Sequence, residues 1–129
     1  MLLLSMLLYT AASLAHFVHN AVYIDAYPNL PVWITPFLVY ALWCVTAAVG
    51  AIGYWLFRRV ARTGGLVVIA VYAMCGFAGL DHYFVAPLGA HTLAMNTSIL
   101  AEVSLAAVLL VVVGVEYWRG LSVERRAGH

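Results

Sequence analysis

Residues 105–115 read LAAVLLVVVGV, a run with no polar side chain and no alternation of polar with apolar positions. A membrane β-strand needs ~10 residues of alternating polarity, so this run reads as helix. The apolar stretch that contains it extends over residues 92–118, longer than the ~20 residues a helix needs to cross a bilayer. Working outward, three more stretches of the same kind lie at residues 2–24, 32–57 and 66–85. Prolines, glycines and short polar clusters separate them. The chain has 129 residues, of which 66% are hydrophobic and 9% charged. So few charges cannot cover that much apolar surface in water, which excludes a soluble domain. The fold class is therefore an all-α integral membrane protein, a four-transmembrane-helix antiparallel bundle. Residues 1–118 form the transmembrane domain, and residues 119–129 a basic tail.

The six cationic side chains are all arginine and fall in two places. Arg58, Arg59 and Arg62 lie between the second and third stretches, and Arg119, Arg125 and Arg126 follow the fourth. By the positive-inside rule both places face the cytoplasm, as in a bacterial-type inner membrane. Four crossings return the chain to its starting face, so both termini are cytoplasmic, and the loops at residues 25–31 and 86–91 face outward. No Lys or Arg precedes the first apolar run, so it reads as a retained helix rather than a cleaved signal segment. The few basic residues are accounted for by topology, and nothing points to nucleic acid.

Smaller features follow from this frame. The prolines of the first outer loop stop helix one and start helix two, with Tyr27 and Trp33 as interface anchors. Pro36 falls a few residues into helix two, and Thr63-Gly64-Gly65 reads as a stop and restart between helices two and three. Cys44 and Cys75 lie inside helices two and three, outside any CxxC pair, and read as packing residues.

His16, His19, Asp25, Asp81, His82 and His91 gather near the ends opposite the arginines, whereas Glu116 pairs with Arg119 at the inner surface. Polar groups inside a hydrocarbon span cost several kcal/mol unless partnered, which makes them functional candidates. On helix one, His16 and Asn20 stand one above the other, with His19 ~60° to the side. Tyr9 and Tyr23 extend the same stripe. On helix three, Asp81 and His82 diverge by ~100°, so one of the two faces the interior. On helix four, His91, Ser98 and Glu102 fall within ~20° of one line, with Met95 beside it and Asn96 turned toward a neighbour. At a rise of ~1.5 Å per residue, His19 and His82 lie roughly 6–8 Å below the outer ends, His16 ~12 Å and Glu102 ~15 Å. Four histidines from three helices thus share one layer.

Two chemical readings compete for that layer, beside a structural one. His16, His19, His82 and His91, with Asp81 or Glu102, have the ligand types for a transition metal, copper, iron or zinc. Two histidines on facing helices also suit haem b, given the small residues Ala11, Ala12, Ala15, Gly76, Ala78 and Gly79 to open a cleft. The alternative is proton transfer by histidine and Glu102 on a lipophilic, lipid- or isoprenoid-like ligand entering from the bilayer, in an enzyme, a binding protein or a proton-coupled transporter. The structural reading makes the polar groups an interhelical network in a homo-oligomer or a subunit of a larger membrane complex. The residues name no reaction.

Overall fold

The computed structural model describes residues 1–127, with side chains through Ser122. Five α-helices follow one another: α1 (Leu2–Val22), α2 (Pro36–Arg59), α3 (Arg62–Cys75), the single turn α4 (His82–Val85) and α5 (Leu93–Ala127). A 3₁₀ stretch, Gly76–Asp81, joins α3 to α4 without a break. The described chain contains four helical segments long and apolar enough to cross a membrane, namely Leu2–Val22, Pro36–Arg59, Arg62–Val85 and Leu93–Ser122. α5 runs past residue 118 to Ala127, so the stretch read as a basic tail begins as its continuation. The side chains of Arg125, Arg126 and His129 lie outside the described residues.

Unlike those of a water-soluble bundle, the helices are apolar on their outward faces as well as in the core. On α1 the buried residues Leu2, Ser5, Met6, Tyr9, Ser13 and His16 form one face at a period of 3.6, and Ala21 is buried near the helix end. Leu3, Leu4, Leu7 and Leu8 on its other face are exposed. α5 repeats the pattern, burying Met95, Ile99, Glu102, Ala106 and Leu109 while Val108 and Val111 point outward. In a bilayer, lipid would solvate the outward leucines and valines as well as a protein core does, which leaves helix association to shape and to polar pairing.

Glycine lets the helices approach. The α2–α3 connection is only Val60–Ala61, and Gly65 lies against the backbone of Phe57, where an added Cβ would stand 2.2 Å from its nitrogen. Gly64 and Gly65, expected to break the chain, instead lie in the first turn of α3. Gly50 lies against the Tyr72 ring, and Gly76 against Tyr9 and Ala106. Tyr9 and Tyr72 form the aromatic centre of the core, with ring centroids 4.8 Å apart. Tyr9 donates to the Tyr72 carbonyl at 3.2 Å, and the Tyr72 hydroxyl shares a 2.7 Å hydrogen bond with Thr10. α1 packs on α5 and α2, and α3 on α2 and α5.

Several helix ends differ from the sequence reading, each for a local reason. α2 begins at Pro36 rather than residue 32, because Pro31 and Ile34 close a turn and Thr35 caps the helix by accepting from Leu38 N–H at 3.3 Å. Pro36 then occupies the first helical position, where a missing N–H costs nothing. Tyr23 follows the end of α1 and is 54% exposed, so it leaves the interior stripe. Cys44 and Cys75 are exposed rather than packed in the core.

Candidate functional site

Beside the tyrosine pair lies a polar layer built from α1, the loop between α1 and α2, the Gly76–Val85 segment and α5. The 3₁₀ winding decides what helix three contributes. At three residues per turn, positions i and i+3 eclipse, so Gly76, Gly79 and His82 fall in one row and Cys75, Ala78 and Asp81 in the next. Gly76 and Gly79 are buried and His82 half-buried, while Asp81 is exposed at the rim. Of the adjacent pair, His82 is the interior residue.

His16 is the centre of the layer. Its Nε2 faces Glu102 Oε2 at 3.8 Å, and both side chains are 3% exposed. Its Nδ1 lies 3.3 Å from Ser98 Oγ. The Ser98 hydroxyl donates to the Met95 carbonyl at 2.9 Å, so its oxygen accepts the His16 Nδ1 proton. That assignment leaves the Nε2 lone pair of His16 directed at the carboxyl of Glu102. Ser13, buried one turn below His16, borders the same carboxyl.

The other imidazoles surround Tyr27. The Tyr27 ring lies 4.9 Å from His82, 5.9 Å from His19 and 6.5 Å from His91 between centroids. Its hydroxyl shares a 2.9 Å hydrogen bond with His19 Nδ1. Burial pushes that hydroxyl up to about 12, so Tyr27 stays protonated at neutral pH. His91 is buried, and its Nδ1 donates to the Pro87 carbonyl at 3.1 Å, which leaves a buried Nε2 without a partner. Asn20 and His82 pair through Nδ2 and Nε2 at 3.2 Å, and Asn20 Oδ1 is likewise buried and unpartnered.

A cavity of about 310 Å³ opens beside this layer. Its polar lining is His16, Asn20, Asp81, His82 and Glu102, and the rest of its wall is apolar, with Phe17, Ile34, Val39, Leu42 and Val85. Leu30 and Pro31 of the first outer loop border it. Asn29, in the left-handed region at φ 57°, ties that loop to the end of α4 by donating to the Val85 carbonyl at 2.9 Å. The size suits a small apolar molecule or one end of a longer one.

The sequence-predicted residues thus meet, but not as one ligand set. Among the described residues, no group of three or more His, Cys, Asp or Glu side chains is placed to hold a metal ion. The reason is orientation. The His16–His82 and His82–His91 contacts are edge-to-face, with centroids 5.5 and 6.1 Å apart. His19 turns to Tyr27, and Asp81 lies at the exposed rim of the cavity described above. Glu102 and His16 form the closest acid–imidazole pair, Asn96 braces the second outer turn through Leu88, His91 and Tyr83, and Ser98 links α5 to α1.

Sequence reasoning missed Tyr27 and Ser13. Tyr27 reads as an interface anchor because a loop tyrosine at a membrane boundary has the same local signature whether it faces headgroups or folds inward. It is 4% exposed. Trp33, by contrast, is 67% exposed. Ser13 carries no signal beyond its place one turn before His16. No family model matches the chain, and no curated protein or solved structure matches it either.

Proposed function

We propose that this chain is an inner-membrane protein of antiparallel spans with both termini in the cytoplasm, and that its cavity binds a lipophilic molecule whose polar end exchanges a proton with His16 and Glu102. The arginine distribution supports the orientation. One observation carries the function: a buried imidazole–carboxyl pair, 3.8 Å apart, at the polar end of an otherwise apolar cavity. A packing network needs no cavity, and a pocket for a wholly apolar molecule needs no acid. Asn20 Oδ1, buried and unpartnered on the same wall, adds an acceptor, so the ligand's polar end is a hydrogen-bond donor such as a hydroxyl.

The test is extraction and mass spectrometry of protein purified in mild detergent. A co-purifying apolar molecule near one per chain is expected, and it is lost in Ala78→Phe, which fills the cavity. Wild-type protein that carries no such molecule, or an Ala78→Phe variant that carries as much, refutes the reading.

One observation favours a second reading, a transition metal such as copper, iron or zinc. His91 has the arrangement of a metal-ligating imidazole, with Nδ1–H held by a backbone carbonyl and Nε2 bare. Binding there requires His82 or Tyr27 to turn toward it. Elemental analysis of protein purified without a histidine tag decides between the two.

A further inference from the structure

The helices that wall the cavity beside His16 leave one side of it open. The close α2–α3 contact runs from Gly65 against Phe57 to Gly50 against the Tyr72 ring. Past Tyr72 the third span tightens to 3₁₀ at Gly76 and packs mainly on α5. The row that this winding aligns, Cys75, Ala78 and Asp81, lines the cavity and is exposed throughout. On the α2 side stand Val39, which is buried, and Leu42, which is exposed. At ~2.0 Å per residue, the six residues of the 3₁₀ segment give this gap a height of ~12 Å. At the end away from Tyr72, Asn29 of the loop between α1 and α2 bonds to the Val85 carbonyl and bridges the two sides. The gap is therefore a window, closed at one end by Gly50–Tyr72 and at the other by Asn29–Val85. Leu42, Cys75 and Ala78 all belong to segments apolar enough to cross a membrane.

The polar lining selects what can enter. It holds two carboxyl groups, Asp81 at the rim and Glu102 deep inside, and no Lys or Arg among the described residues. Two of its N–H donors are already occupied, Asn20 Nδ2 on His82 and His16 Nδ1 on Ser98. Asn20 Oδ1 is a buried acceptor without a partner. An anionic head group would meet two acids and no countercharge, whereas a hydroxyl finds acceptors. The volume, about 310 Å³, is at the lower end of the ~300–1,000 Å³ of small-molecule sites. It takes one polar end and the start of one chain, and the rest of a longer molecule has to pass the window. We infer that this window is a lateral portal onto the bilayer and that its occupant is a single-chain lipid alcohol. The hydroxyl sits by Asn20 and Glu102, and the chain leaves between Leu42 and Ala78.

The portal rests on the ligand reading above and adds to it the class of molecule and its route. The test uses protein in phosphatidylcholine nanodiscs and two photoreactive hexadecanols, one with a diazirine beside the hydroxyl and one with it at mid-chain. Crosslinks are mapped by peptide mass spectrometry, and only those removed by excess unlabelled hexadecanol are counted. The first probe is expected on Phe17, Asn20 or Gly79, and the mid-chain probe on residues 39–42 and 75–78. Hexadecyl phosphate, an anion with the same chain, is expected to need at least about tenfold more to compete. Competed mid-chain crosslinks that fall elsewhere, above all on the loop at residues 25–31, overturn the portal and leave the ligand reading standing. Equal competition by the phosphate overturns the lipid alcohol as occupant, again without touching that reading. No competed crosslink from either probe overturns both.

Discussion

Gly65→Ala is expected to cost about 3 kcal/mol or more, beyond the usual range for one added methyl group. The new Cβ would stand 2.2 Å from Phe57 N and 2.4 Å from its Cα. Both atoms belong to hydrogen-bonded helical backbone, so neither retreats as a flexible side chain does. The helices must separate instead, along the whole α2–α3 contact and at its shortest connection. The neighbouring position is the control. A Cβ on Gly64 meets only Ala61 Cβ, at 3.6 Å, and Gly64→Ala is expected to be neutral or to stabilise the helix by about 0.5–1 kcal/mol. Thermal unfolding in one detergent reads both. A Gly65→Ala protein as stable as wild type contradicts the crossing described above.

The second large effect concerns the buried pair. His16→Leu leaves the buried carboxyl of Glu102 without its imidazole, and about 3 kcal/mol of stability is expected to go with it. Adding Glu102→Leu removes the stranded acid and is expected to return most of that loss, because two apolar side chains of similar volume suit the interior. Binding behaves otherwise. The double variant is expected to refold as well as wild type but to lose the hydroxyl-bearing lipophile. A double-mutant cycle with additive losses shows that the two side chains do not interact. Restored binding in the double variant shows that the pair serves the fold alone.

How much of this was legible in the residues depends on range. Hydrophobic runs longer than a bilayer is thick specify spans by themselves, and the four spans were visible at once. So was the facing of His16, Ser98 and Glu102, because the α-helical period is rigid over two turns. Where the period changes, the reading fails. Nothing in Gly-Phe-Ala-Gly-Leu-Asp announces a tighter winding, and the close approach of Tyr9 and Ala106 to Gly76 is a contact between helices distant in sequence. Tyr27 was lost for a similar reason: its burial comes from the path of the loop, which Asn29 ties to the end of α4 from a distance of 56 residues in sequence. Ring orientation was lost too. Helical position brings imidazoles to one level, but the carbonyl of Pro87 and the hydroxyl of Tyr27 decide where their nitrogens point.

The overwound segment at residues 76–81 gives the molecule a thread whose pitch matters. Per residue, a 3₁₀ turn advances ~2.0 Å and rotates ~120°, against ~1.5 Å and ~100° for the ordinary form. Relaxing those six residues would shorten the segment by about 3 Å and swing everything beyond it through about a third of a revolution. His82 would be carried away from Tyr27, and Asn29 would lose its anchor at Val85. Screwed one way, the outer end of this span closes the chamber; unscrewed, it withdraws an imidazole and a lid together.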